Sequence, residues 1–154
     1  MSDAKRSLMR HFLATLAYRA RKAIAGAPVD FAFFAGAGKT PSAILSHMGD
    51  LMAWSISWFG EPRWKAAEVG PWDTNVSRFF TLLKELDLLL ASHAPLRCYN
   101  EERMMQGPLA DAMTHVGQLA MLRRMAGAAT PAENFAEAPV AIGDVSGPAS
   151  ARAV

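Results

Sequence analysis

Four stretches of this chain carry apolar residues three and four positions apart, which is the spacing of one face of an α-helix. Glycine or proline stands at most ends of these stretches, where helices commonly start or stop. We predict helices over about residues 3–25, 41–59, 74–92 and 108–127. No internal repeat and no clear pair of strands interrupts them. Four helices with a long first connector and shorter later loops predict an all-α fold, a four-helix bundle.

The size and composition of the chain predict one globular domain. Of its 154 residues, 51% are hydrophobic and 19% are charged, which is ordinary for a folded protein. We assign residues 1–145 to this domain and expect a frayed tail over residues 146–154. Residues 95–107 are expected to form a loop. Residues 128–145 lack helical spacing and are expected to lie extended over the bundle, anchored by Phe135, Val140 and Ile142.

Charge and hydropathy argue against two classes of partner. The formal net charge of +2 is small, and the densest basic cluster follows the first helix, so a solvated face explains it better than a nucleic-acid site. No apolar run approaches the roughly 18 residues that span a bilayer, so no membrane partner is expected. Residues 36–40 (GAGKT) end like a phosphate-binding loop, but Phe33 stands where that motif needs a glycine. With one cysteine and no apolar leader, a cytoplasmic protein is the default expectation.

The last predicted helix carries the strongest signal for chemistry. Asp111, His115 and Gln118 are four and three positions apart, so they lie on one face over successive turns. This stripe borders an apolar arc, which places it at the margin of a buried surface. A histidine and a carboxylate one turn apart can chelate one metal ion. The structural alternative for Asp111 is an exposed first-turn carboxylate that the helix dipole favours.

The second predicted helix offers a third ligand. His47 shares the face of several aromatic and aliphatic residues, so we expect it to be buried. Three nitrogen and oxygen ligands from two helices leave coordination positions open, which is typical of catalytic rather than structural sites. Asp50, one turn after His47, is a candidate to orient an imidazole or a water from behind. The alternative for His47 is a hydrogen-bonded histidine of the core.

Three tryptophans suggest where a ligand binds. Trp54 and Trp58 on the second helix, together with Trp72 before the third, are expected to line or cover a cleft, although a packing role is an equal alternative. Cys98 lies in a predicted loop with no histidine placed beside it by the sequence. We therefore do not expect Cys98 to be a nucleophile.

Two segments carry a resemblance to a known family. Residues 44–51 (ILSHMGDL) and 111–127 (DAMTHVGQLAMLRRMAG), followed by Pro131 and residues 133–135, resemble the DinB/YfiT-like family of metal-dependent proteins. The resemblance implies a four-helix bundle whose helix order differs from up-down-up-down, and a homodimer. It also implies nickel or zinc held by one histidine of the second helix and an HxxxH pair of a later helix. His47 matches the first of these ligands and His115 the last, whereas Asp111 stands where the family has histidine.

The aspartate leaves two interpretations open. A set of two histidines and one carboxylate is compatible with zinc, nickel, manganese and iron, or the site is degenerate. The family resemblance implies a metal-dependent enzyme similar to transferases and isomerases that use a low-molecular-weight thiol such as bacillithiol or mycothiol. A hydrolase that uses metal-bound water, with Asp50 or Asp111 as the base, is the second enzymatic option. The alternative is a non-catalytic dimeric bundle that binds a small hydrophobic ligand.

Overall fold

The helices pack around a single core in the computed structural model, which describes residues 2–36, 38–61 and 63–149. They are α1 (Ser2–Ile24), α2 (Pro41–Ser57), α3 (Trp72–Ala91), α4 (Glu101–Met104), a π-helical segment (Met105–Leu109) and α5 (Ala110–Met125). Short 3-10 turns lie at Phe31–Phe33 and Phe135–Glu137. Because α4, the π-helical segment and α5 are continuous, the described residues form four long helices and no strand. The all-α prediction is confirmed.

The second and third helices run parallel. Asn75 in the first turn of α3 donates to the hydroxyl of Ser42 at 2.9 Å, and Arg78 one turn later donates to the carbonyl of Ser46 at 3.1 Å. The two chains therefore advance in the same direction. The connector returns beside them, since its Gly70 carbonyl accepts from Asn75 at 2.9 Å. The bundle is consequently not an up-down-up-down bundle.

The predicted start of the last helix is wrong. The helix begins at Glu101, because the Asn100 side chain accepts a hydrogen bond from Arg103 N at 3.0 Å and caps the first turn. Pro108, predicted to open the helix, lies inside the π-helical segment instead. Proline lacks an N–H and its ring crowds the preceding turn, so a widened turn lets the helix continue past it.

The core is apolar and draws on every long helix. Fully buried side chains of this kind each contribute roughly 1.5–3 kcal/mol of transfer free energy. Its largest members are Trp58, Phe31, Phe79, Leu13, Leu16, Ile24, Leu45, Met48, Met52, Leu83, Leu86 and Leu90. Among the residues that the structure describes, no helix is both long enough and apolar enough to cross a bilayer.

The basic cluster of α1 is paired within the chain, so the prediction of a solvated face is wrong for most of it. Its cations meet acids on α3, α4 and the C-terminal segment. The ion pairs are Lys5 with Glu102, Arg6 with Glu101, Arg10 with Asp87, Arg21 with Asp144 and Lys22 with Glu133. Most of the basic cluster therefore tethers α1 to the rest of the fold.

The C-terminal segment is held on α1 by an aromatic and an ionic contact. The Arg19 guanidinium lies 4.0 Å from the centre of the Phe135 ring, and Lys22 donates to Glu133 at 2.6 Å. Val145 is buried, whereas Ile142, predicted to be an anchor, is exposed. The carbonyl of Ser146 accepts from Arg21 at 2.7 Å, and residues 150–154 of the predicted tail lie outside the described residues.

A buried arginine joins the ends of α1 and α5. The Arg123 guanidinium donates to the carbonyls of Ala23, Ala25 and Gly26 at 3.2, 2.6 and 3.2 Å, and also to the carbonyl of Ala128 at 3.0 Å. Ala23 is in the last turn of α1, and Ala25 and Gly26 directly follow the helix, so their carbonyls lack helical partners. Burial lowers the pKa of the Arg123 guanidinium from its ordinary value.

Replacing Arg123 is expected to destabilise the whole bundle. The Arg123→Met variant leaves the carbonyls at the end of α1 without donors, which costs about 2–4 kcal/mol of unfolding free energy. Urea unfolding followed by circular dichroism measures this loss. Arg124→Met, at the exposed neighbouring position, is the matched control and should stay within about 0.5 kcal/mol of the parent. Equal losses in both variants would contradict the capping role.

Docking of the C-terminal segment is expected to weaken in acid. Hydrogen bonds from Lys22 and Tyr18 lower the pKa of Glu133 from its ordinary value of 4.5. A carboxyl with a lowered pKa stabilises the fold above its unfolded pKa, and this contribution is lost as the pH falls through the folded pKa. The protection of residues 128–149 from amide hydrogen exchange should fall between pH 5 and pH 3 in the parent, and it should fall less in Glu133→Gln. Glu137→Gln is the control within the same segment and should titrate like the parent.

Candidate metal centre

His47, Asp111 and His115 converge between α2 and α5, and we call these three residues the triad. One ligand atom from each lies within 4.8 Å of the others. Nε2 of His47 is 3.6 Å from Oδ2 of Asp111, and Nε2 of His115 is 3.4 Å from Oδ1. The two imidazole rings meet edge to face with their centroids 4.9 Å apart. The structure therefore brings together the three residues that the sequence nominated as ligands.

These separations suit a shared ion better than hydrogen bonds. An N–H···O bond is about 2.7–3.2 Å long between heavy atoms, so both contacts of the Asp111 carboxylate are too long. Two donor atoms that each lie about 2.05 Å from a tetrahedral ion are separated by about 3.3 Å. The donor set of two imidazoles and one carboxylate also matches zinc, nickel, manganese and iron. The two nitrogen-to-carboxylate separations and the donor chemistry are thus compatible with a divalent ion, and the three ligand atoms as a set lie within 4.8 Å of one another.

Gln118 fixes the orientation of one ligand. Its Oε1 lies 2.7 Å from Nδ1 of His115, one turn along the same helix. With the amide oxygen as acceptor, Nδ1 is the ring nitrogen that donates, and this tautomer of the neutral imidazole leaves Nε2 available to an ion. Metal-binding histidines commonly donate their other ring nitrogen in this way.

The triad is partly exposed to solvent, and the predicted burial of His47 is wrong. The His47 side chain is 38% exposed, Asp111 is 47% exposed and His115 is 13% exposed. The face of α2 that enters the core carries Leu45, Met48 and Met52 instead. An ion held here is open to solvent on one side, as a catalytic site requires.

The π-helical segment sets the direction in which α5 presents its ligands. Asp111 is in the first turn of α5, directly after this segment, and His115 follows one turn later. Between them Ala112 enters the core, as does Val116 immediately after His115. The apolar side of the helix is thereby fixed against α1 and α2, and the polar stripe is left facing His47.

Asp50 lies away from the triad. Its buried carboxylate accepts from Arg78 at 2.7 Å and from the backbone N–H of Ala67 at 3.0 Å. These contacts hold α3 and the connector against α2. From the sequence, Asp50 is expected to orient a histidine ligand. Gln118 makes that contact instead, and the histidine it orients is His115.

The three tryptophans do not form one cluster. Trp54 and Trp58 contact each other at the C-terminal end of α2, with ring centroids 5.2 Å apart. Trp72 packs on Phe31, 5.7 Å between centroids, beside the N-terminal end of α2. These two ends are separated by roughly 18 Å along the helix. Cys98 lies half-buried against the core before α4.

A different cavity adjoins the triad. It has a volume of about 330 Å³ and lies between the start of α2 and the last turns of α5. Its lining residues are Lys39, Ile44, His115, Gln118, Met121, Leu122 and Met125, and we call it the methionine cavity. The sequence alone did not indicate Lys39 or the methionines, because they come together only where the connector packs against α5. His115 and Gln118 belong to the site and to the cavity.

Comparison with known proteins identifies no family for this chain. A scan against protein-family models, a search of curated proteins and a search of solved structures each found no match. The resemblance in residues 44–51 and 111–127 therefore stays a prediction. What supports a function is the geometry of the triad and of the methionine cavity beside it.

Proposed function

We propose that this protein is a divalent-metal-dependent enzyme that acts on a small molecule. The observation that carries the proposal is the convergence of three ligand atoms from two helices at the edge of a cavity. Three protein ligands leave positions for a water, a cosubstrate or a substrate. Zinc and nickel are the first candidates, followed by manganese and iron.

Each residue of the site has a distinct task in this proposal. His47, Asp111 and His115 hold the ion, and Gln118 keeps the Nε2 lone pair of His115 directed toward it. A bound divalent ion supplies Lewis acidity and lowers the pKa of a thiol or water at its open positions. The methionine cavity holds the substrate beside His115 and shields part of it from water.

The cavity lining favours a nucleophile that comes from outside the chain. Among the described residues that line it, none carries a hydroxyl or a thiol. A low-molecular-weight thiol, as in the transferases that the family resemblance implies, or water, as in a hydrolase, fills that role. A homodimer belongs to the same proposal, and light scattering in solution measures it.

The alternative function is a non-catalytic bundle that binds a small hydrophobic ligand. The observation in its favour is that Asp111 replaces a histidine expected from the resemblance and is 47% exposed. Under this alternative, ligand binding persists after chelation of metal, and the triad is degenerate.

Metal content tests the proposal most directly. Untagged parent protein should bind close to one equivalent of zinc or nickel by elemental analysis after dialysis. His115→Ala and His47→Ala should lose that metal, because each removes one of three ligands. His11→Ala changes an exposed histidine of α1 and is the matched control.

Since His47 is only partly buried, the metal-free His47→Ala variant should melt close to the parent. Metal in an Asp111→His variant but not in the parent would favour the alternative function.

The role of Gln118 predicts a graded effect on affinity. Gln118→Leu should weaken zinc binding about 10- to 100-fold, because the His115 ring loses its orienting acceptor. Gln118→Glu keeps an acceptor for Nδ1 and should retain most of the affinity. Isothermal titration with a competing chelator measures both variants. Equal affinity in the leucine variant and the parent would show that Gln118 does not orient the ligand.

A further inference from the structure

The methionine cavity has an apolar body and a cationic rim. Ile44 and Leu122 form its inner wall, and both are buried. Met121 and Met125 form its outer wall and leave 56% and 48% of their surface exposed. Methionine side chains adapt to irregular apolar ligands, because they are unbranched and polarisable. Two such side chains turned to solvent beside a cavity are therefore suited to cover an apolar group.

The connector before α2 forms the far end of this cavity. A Cβ at Gly36 would clash with the Phe34 ring and lie 3.0 Å from the Met125 terminal methyl group, so the connector passes close to the last turn of α5. Phe34 lies at the same place, against Gly36. Met125 is ten residues beyond His115, or about 15 Å along the helix. Lys39 directly precedes Thr40, the N-cap of α2, and His47 of the triad lies about 12 Å further along that helix, so Lys39 lines the end of the cavity that is distant from the triad.

Lys39 supplies an uncompensated positive charge. Its side chain is exposed and makes no ion pair with any acid among residues 2–36, 38–61 and 63–149. The described lining of the cavity includes no acidic residue. This contrasts with α1, where Lys5 and Lys22 are both paired with glutamates. The electrostatic complement of the rim is therefore an anion.

We infer that the methionine cavity binds a small amphipathic anion, an apolar aryl or alkyl body that carries one carboxylate or sulfonate. The anionic group pairs with Lys39, the body lies against Met121 and Met125, and the opposite end reaches His115 and Gln118. The inference rests on the proposed function for what happens at that opposite end. Binding itself depends on the cavity alone and is measurable without metal.

The test uses the metal-free protein, so that a carboxylate cannot be captured by an ion in the triad. Calorimetric titration compares 4-phenylbutanoate and octanoate with the neutral 4-phenylbutan-1-ol. The anions should bind more tightly than the alcohol. Lys39→Glu should weaken anion binding roughly fivefold to tenfold, because an exposed pair becomes a like-charge contact. It should leave the binding of the alcohol unchanged.

A charge reversal elsewhere controls for net charge. Lys84→Glu changes an exposed lysine of α3, which lines a separate cavity with Val145, and should bind the anions like the parent. Methyl spectra of protein labelled at methionine locate the ligand. Signals of Met121 and Met125 should shift on titration, whereas those of the buried Met48 and Met52 should stay in place.

The outcomes separate this inference from the proposed function. If neither anion binds at millimolar concentration, or if Lys39→Glu binds them like the parent, the inference is overturned whatever the metal content. Shifts confined to other methionines overturn it as well. If the anions bind as expected and the parent holds no metal, the inference stands and the proposed enzymatic function fails.

Discussion

The site depends on how the chain continues a helix through Pro108. A proline in a regular helix removes one hydrogen bond and crowds the turn before it, so the helix must break or widen. Here it widens over Met105–Leu109, and both Pro108 and Leu109 are buried. One additional residue in a turn rotates everything after it by about 100° relative to an uninterrupted helix. That rotation turns Ala112 into the core and leaves Asp111 and His115 facing α2.

The parallel pairing of α2 and α3 explains why the other ligand is free to face outward. Polar contacts between Asn75 and Ser42, and between Arg78 and Asp50, fix the register of these two helices. Because the buried carboxylate of Asp50 is committed to α3, the adjacent face of α2, which carries His47, is left for α5. Asp50, which its spacing placed beside the predicted site, thus stabilises the packing of α3 on α2. The hydrogen bond that orients a histidine of the triad comes from Gln118 on α5 instead.

Much of this arrangement could be predicted from local sequence, and the remainder depended on long-range packing. Spacing and caps located α1, α2 and α3, since Thr40 and Pro41 mark a helix start unambiguously. The same logic misplaced the last helix, because a buried proline inside a π turn has the same sequence signature as a proline that opens a helix. The pair of Asp111 and His115 followed from a four-residue spacing. The exposure of His47 and the apposition of Lys39 with Met125 had no local signal, because they depend on which face of α2 meets α3 and on where the connector crosses α5.

The carboxylate of Asp111 has an electrostatic consequence that connects the triad with the cavity. Two neutral imidazoles and one carboxylate would leave a divalent ion with a net charge of about one, whereas three imidazoles would leave it with two. The attraction of the centre for an anionic substrate is then roughly halved. Lys39 provides a second positive charge at the other end of the cavity, where it attracts the anionic group away from the ion. Under the proposed function, a substrate oriented in this way would present its uncharged end to the triad and would leave the open coordination positions to a nucleophile instead of to its own carboxylate.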